Sequence, residues 1–142
     1  MLPEAMELVI VTPTRQLVRA RTKEVTLPGA NGYLGVLPGH APLMTELGIG
    51  ELTYQGAAQG ALFAIVRGFA EVLLDRVTVL AETAELAAEI DLERAEAAKA
   101  RAEKRLAAGA PDIDWDRASV ALQRALIRIQ VARKFRGAAN SH

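Results

Sequence analysis

Cysteine is absent from the 142 residues, which removes disulfides, thiolate nucleophiles and the usual structural zinc sites together. Histidine is nearly absent too. With only His40 and His142 there is neither a metal cluster nor a Ser-His-Asp arrangement. A jelly-roll dioxygenase needs several clustered ligands and is excluded on the same ground, leaving His40 as a turn residue. Aromatic residues make up 4% of the chain, and its basic tail holds only Trp115 and Phe135, too few to interleave with nucleic acid bases. No long hydrophobic run occurs: the longest, Ala61 to Leu74, is interrupted by Arg67, Gly68 and Glu71, short of the roughly 18 to 20 residues of a membrane span. The first residues, Met1 to Glu7, are acidic and lack the basic start of a secretory or transit peptide. The expectation is a non-catalytic protein with no metal site and no nucleic-acid partner.

Net charge is zero overall, 17 basic residues against 17 acidic, but its distribution is uneven. Residues 1–90 hold 6 Lys/Arg and 10 Asp/Glu, whereas residues 91–142 hold 11 and 7. That split marks two modules, the second inclined towards an acidic partner or ligand. The first module is organised around Leu27 to Leu43, LPGANGYLGVLPGHAPL. Its glycines and prolines (Gly29, Gly32, Gly35, Gly39; Pro28, Pro38, Pro42) predict turn, short strand, turn, a shaped rim without catalytic character. No G-x-x-x-x-G-K-[ST] pattern is present, so this loop is no nucleotide cradle.

Around it lie short β-rich runs: Leu8 to Thr12, Leu17 to Ala20, Glu24 to Leu27, Tyr33 to Leu37, Glu51 to Tyr54, Leu62 to Val66, Phe69 to Leu74 and Val77 to Ala81. With turn residues at Gly48, Gly50, Gly56, Gly60 and Gly68, the spacing predicts an antiparallel β-sandwich of ten strands, give or take two, over residues 1–86. Outward positions are often apolar as well, as in Leu8-Val9-Ile10-Val11, which calls for a second sheet or a partner protein.

From Glu82 to Leu106 there is no glycine or proline, and helix formers dominate. Gly109 and Pro111 stop this helix, and Asp114 caps a second, giving an α+β chain whose residues 87–142 hold an antiparallel helical hairpin. Its seam is mostly alanine: Ala95, Ala98, Ala102 and Leu106 face Ala118, Leu122, Ala125, Ile129 and Ala132. A buried methyl contributes only about 0.8 kcal/mol, so such a seam closes tightly but holds weakly. Opened, the two helices would reach on the order of 55 Å. Arg117, Arg124 and Arg128 share one stripe of the second helix, where forked guanidinium groups can hold an anion; the plainer reading is a solvated basic stripe.

LPGANGYLGVLPGHAPL, together with Gly68-Phe69-Ala70-Glu71-Val72, Val77 to Glu82 and Ile90-Asp91-Leu92-Glu93-Arg94-Ala95, resembles the epsilon subunit of F-type ATP synthases, over nearly the whole chain and in the family's order. The resemblance implies a central-stalk subunit that clasps the gamma subunit. It also implies contact with the c-subunit ring through Ala30, Asn31, Gly32, Tyr33, Leu34 and His40, on the cytoplasmic face of the cell membrane. Some bacterial members bind ATP as a regulatory ligand through I/L-D-x-x-R-A, which Ile90, Asp91, Arg94 and Ala95 match. By the same resemblance Glu85 and the backbone near Ile90 face adenine, while Arg124 and Arg128 take phosphates. Asp91 has a competing role as a helix cap. The extended tail of the family brakes ATP hydrolysis on the alpha and beta catalytic subunits, a role that falls here to Arg128, Arg133, Lys134 and Arg136; the same cations also complement a helix C-terminus. The alternative is a stand-alone nucleotide sensor of the same architecture.

Overall fold

In the computed structural model, residues 2–55 and 60–140 are described, and the chain divides into two compact units, Met1–Leu86 and Ala87–His142. The predicted turn at Gly56 and the terminal His142 lie outside the described residues.

The first unit is built on seven strands: β1 (Met6–Val11), β2 (Gln16–Thr22), β3 (Val25–Gly29), β4 (Gly32–Val36), β5 (Leu43–Gln55), β6 (Gly60–Val72) and β7 (Arg76–Leu86). Hydrogen bonding orders them β2-β1-β7-β6-β5-β3-β4. Neighbours are antiparallel except β1 and β7, which run parallel. Although β1 and β3 are four places apart in that order, Met6, Leu8 and Ile10 of β1 share one core cluster with Val25 and Leu27 of β3 and Val36 of β4. The sheet is therefore folded over on itself into a sandwich, and period-two alternation supplies its interior. Tyr54 and Phe63 stack within it, their ring centroids 6.4 Å apart.

The strand count corrects the sequence expectation of about ten. Gly48 and Gly50 do not end a strand: they lie inside the 13-residue β5, and Gly68 lies inside the 13-residue β6. At Gly68 the backbone reaches φ 143, directly after Arg67 at φ 54, and the pairing with β5 and β7 continues on both sides. Glycine here marks a kink in a continuous strand, which lets a long strand serve both layers.

A second correction concerns residues 82–86. Their alanine and glutamate content predicts helix, yet they complete β7, with Thr83 opposite Val66, Ala84 opposite Ile65 and Leu86 opposite Phe63. Pairing with β6 and burial of Ala84 override a weak local preference. Glu82 and Glu85 accordingly lie on a strand, and the chain turns at a short 3-10 segment, Ala87–Glu89.

The second unit contains α1 (Leu92–Ala108) and α2 (Trp115–Asn140). The Asp91 carboxylate accepts a hydrogen bond from the Arg94 N–H at 3.1 Å, and that of Asp114 accepts one from the Arg117 N–H at 3.0 Å, so both helices start on an aspartate cap. Gly109 ends α1 in the left-handed conformation, φ 60. The seam forms at the expected positions: Ala95, Ala102, Ala118, Ala125, Ile129 and Ala132 are buried. Asp114→Ala is expected to cost about 1 kcal/mol of hairpin stability, measurable as loss of helical signal at a lower denaturant concentration.

Candidate functional site

The basic stripe of α2 meets a second one that the sequence reading missed. Arg101 and Arg105 of α1 join Arg124 and Arg128 of α2 around a groove of about 250 Å³, floored by alanines that include Ala102 and Ala125. Spacing alone could have revealed it. Arg94, Arg101 and Arg105 recur at i, i+7 and i+11, as do Arg117, Arg124 and Arg128, and that spacing keeps each set on one helix face. Alanine at the floor lets the helices approach closely while the long arginine stems line the rim. The Nε of Arg128 is buried. Among the described residues, none of Arg101, Arg105, Arg117 and Arg124 forms an ion pair with a carboxylate. Like charges gathered on an apolar floor repel one another, so the groove is electrostatically receptive to an anion.

The remaining motif residues lie elsewhere. Ile90 is buried, with its N–H donating to the carbonyl of Ala87 at 3.3 Å. Asp91 is committed to the cap of α1, and Ala95 is buried in the seam with its N–H on the Asp91 carbonyl at 3.0 Å. Arg94 is exposed, one heptad before Arg101. None of these four lines the arginine groove. Glu85 belongs to the sandwich unit, near the end of β7, half-buried and opposite Ala64. Among the described residues no group of His, Asp and Glu could hold a metal ion.

At the end of α2, Arg133 donates to Glu96 of α1 at 2.9 Å, so one of the cations assigned to an extended tail is engaged while the helices are paired. Arg136 is exposed. Both partners of the Glu96 pair are largely exposed, and its contribution is about 0.2 to 1 kcal/mol.

The rim segment has a different character. Ala30, Asn31, Gly32 and Tyr33 are exposed, whereas Leu34 and His40 are half-buried. Tyr33 is pinned although 61% exposed: its hydroxyl accepts a hydrogen bond from the buried Glu51 N–H at 3.1 Å, crossing Gly50. A Cβ on Gly50 would stand 2.8 Å from that hydroxyl. The His40 imidazole Nδ1 lies 2.7 Å from the Ala41 carbonyl, consistent with a turn residue. Nearby, the Gly39 N–H donates to the Leu74 carbonyl at 2.7 Å, drawing the β4–β5 loop to the β6–β7 turn. Leu37, Leu73 and Leu74 stay exposed there. On the outer face of the sheet, Phe69 of β6 pairs with Leu80 of β7, which pairs with Val11 of β1, and Met44 lies opposite Glu71. Phe69, Leu80 and Met44 are all more than half exposed.

Comparison with known proteins places both units. The description "ATP synthase, Delta/Epsilon chain, beta-sandwich domain" matches residues 5–87, and "ATP synthase, Delta/Epsilon chain, long alpha-helix domain" matches residues 88–133. The chain belongs to the epsilon-subunit family of ATP synthases. It is 47% identical over 133 residues to the ATP synthase epsilon chain of Solibacter usitatus, covering 94% of this chain and 99% of that one. To the epsilon chain of Geobacter sulfurreducens it is 50% identical over 132 residues, 92% of this chain and 96% of that one. Its fold is similar to that of a chain in the mitochondrial ATP synthase of Euglena gracilis, with TM-score 0.69 at 21% identity, covering 99% of this chain and 84% of that one. A chain from the central stalk and c-ring of the Tetrahymena thermophila mitochondrial enzyme gives TM-score 0.59 at 14% identity, over 91% and 94% of the two chains. As a family member the chain is a non-catalytic subunit of the F-type ATP synthase. No helix among the described residues is long and apolar enough to cross a membrane.

Proposed function

We propose that this epsilon subunit couples the rotor of the synthase to its membrane ring through the sandwich and restrains ATP hydrolysis through the hairpin. The observation that carries the regulatory half is the arginine groove across an alanine seam: an anionic ligand that bridges α1 and α2 stabilises only the paired state. ATP is that ligand, with Arg124 and Arg128 holding its phosphates and the segment from Ile90 to Ala95 receiving the nucleoside end. At about 100 times its Kd, ATP would favour the folded hairpin by roughly 2.7 kcal/mol. When ATP falls, the seam opens, Glu96 releases Arg133, and the tail reaches the alpha and beta catalytic subunits with Arg128, Arg133, Lys134 and Arg136. Replacing Arg133, Lys134 and Arg136 by alanine in the assembled complex should raise hydrolysis severalfold at low ATP; unaltered hydrolysis would remove the tail from the inhibitory contact.

The coupling half rests on the sandwich surface. The exposed Phe69 and Leu80 row, with Met44, suits the gamma subunit, and the segment Ala30 to Leu34 with His40 suits the polar loops of the c ring, on the cytoplasmic face of the membrane. Phe69→Ser combined with Leu80→Ser should leave the isolated chain folded at a cost of about 1 kcal/mol per site, because each side chain is about half exposed and what is lost is mainly their cross-strand pair. Binding to gamma, measured by co-purification, should fall at least tenfold. Undiminished assembly would assign that face elsewhere. A stand-alone sensor would be stable and monomeric, with no gamma subunit bound.

A further inference from the structure

The arginine array runs past the groove described above. A second depression of about 540 Å³ adjoins the first, sharing Arg105 and adding Arg117, towards the loop that joins the helices. From Arg117 to Arg128 the α2 stripe spans about 16 Å at 1.5 Å per residue, and Arg101 and Arg105 face it from α1. Apart from arginine, the first groove is lined by alanine alone among the described residues, so it offers no aromatic ring for a base and no side-chain acceptor for an amino group on a base edge, while every polar side chain in it can donate to phosphate. Asp112 and Asp114 close the loop end, and the Asp114 carboxylate is occupied by the α2 cap.

We infer that the groove from Arg128 to Arg117 is a binding site for a linear polyphosphate chain, which it recognises by phosphate count and not by an attached nucleoside. Repeating phosphates along one chain match guanidinium groups repeated along two facing stripes, each able to take a phosphate through a fork of parallel hydrogen bonds. The inference rests on the anion-receptive groove, but it does not require that ATP be the ligand.

Calorimetric titration of the full chain with phosphate, pyrophosphate, tripolyphosphate and a polyphosphate of about fifteen units, at constant ionic strength, tests it. Affinity per chain should rise at each step and at least tenfold from tripolyphosphate to the longer chain. Arg117→Gln should lose most of that last increment while leaving tripolyphosphate binding within about twofold, and Arg117→Lys should recover only part of it. A plateau at tripolyphosphate, an unaffected Arg117→Gln variant, or equal binding of a poly-glutamate peptide of matched charge would each overturn the inference. ATP binding without gain from longer chains would overturn it and spare the nucleotide reading. Polyphosphate binding without ATP binding would do the reverse.

Discussion

Gly68→Ala should strongly destabilise the sandwich. A Cβ at that position would stand 2.0 Å from the Leu80 carbonyl oxygen and 2.8 Å from the Ala81 Cα, and φ 143 is a conformation that L side chains rarely adopt. Neither neighbour is a side chain that can rotate away; both are backbone of β7, held in the ladder that pairs Phe69 with Leu80 and Gly68 with Ala81. Backbone strain of this kind costs about 1 to 3 kcal/mol before the clash is counted, so a loss of about 3 kcal/mol or more is expected. Against a total stability of roughly 5 to 15 kcal/mol that is a large share. Urea unfolding followed by far-ultraviolet circular dichroism measures it, and a loss below about 1 kcal/mol would mean that the kink can be made another way.

The second large effect is expected at the hairpin. Replacing Arg124 and Arg128 together by alanine removes half of the guanidinium groups around the groove. Hydrogen bonds to charged groups contribute roughly 1.5 to 3 kcal/mol each, so at least a hundredfold loss of ATP affinity should follow. The thermal stabilisation of the chain by ATP should vanish with it, while the melting of the ligand-free sandwich stays where it was. A separate substitution distinguishes the two roles of Asp91. Asp91→Ser keeps a side-chain oxygen for the Arg94 N–H and should preserve helix α1, whereas Asp91→Ala should cost about 1 kcal/mol. If Asp91→Ser retains full ATP affinity, the carboxylate serves the helix alone.

Features of the fold that depend on neighbouring residues in sequence were legible before the structure. The caps at Asp91 and Asp114 and the stop at Gly109 are local, so residue type and spacing suffice to place them. The alanine seam was legible for the same reason, because a helix converts a seven-residue rhythm directly into a face. Glycines inside strands misled, since a glycine that kinks a strand and one that ends it leave the same mark in the sequence. What separates them at Gly68 is the continuation of pairing with β5 and β7, a tertiary fact. Residues 82–86 misled in a different way: alanine and glutamate favour helix only weakly, and an open β6 edge decides otherwise.

The site shows the same division. Arg124 and Arg128 stood out as the only charges between Arg117 and Arg133, whereas Arg101 and Arg105 sit within the charged run from Glu96 to Arg105 and gave no contrast. Their role depends on which face of α1 meets α2, and the closed seam supplies that. The Tyr33 clasp over Gly50 joins Tyr33 to Glu51, 18 residues apart, and no local pattern announces it.

The most direct measurement is isothermal titration calorimetry of ATP into the full-length chain, with ADP as comparator and the Arg124→Ala, Arg128→Ala double variant alongside. A nucleotide-gated hairpin predicts micromolar or tighter binding, selective for ATP and lost in the variant. Absence of binding up to millimolar ATP would contradict it, leaving the arginine groove to another anion or to the subunits around the stalk.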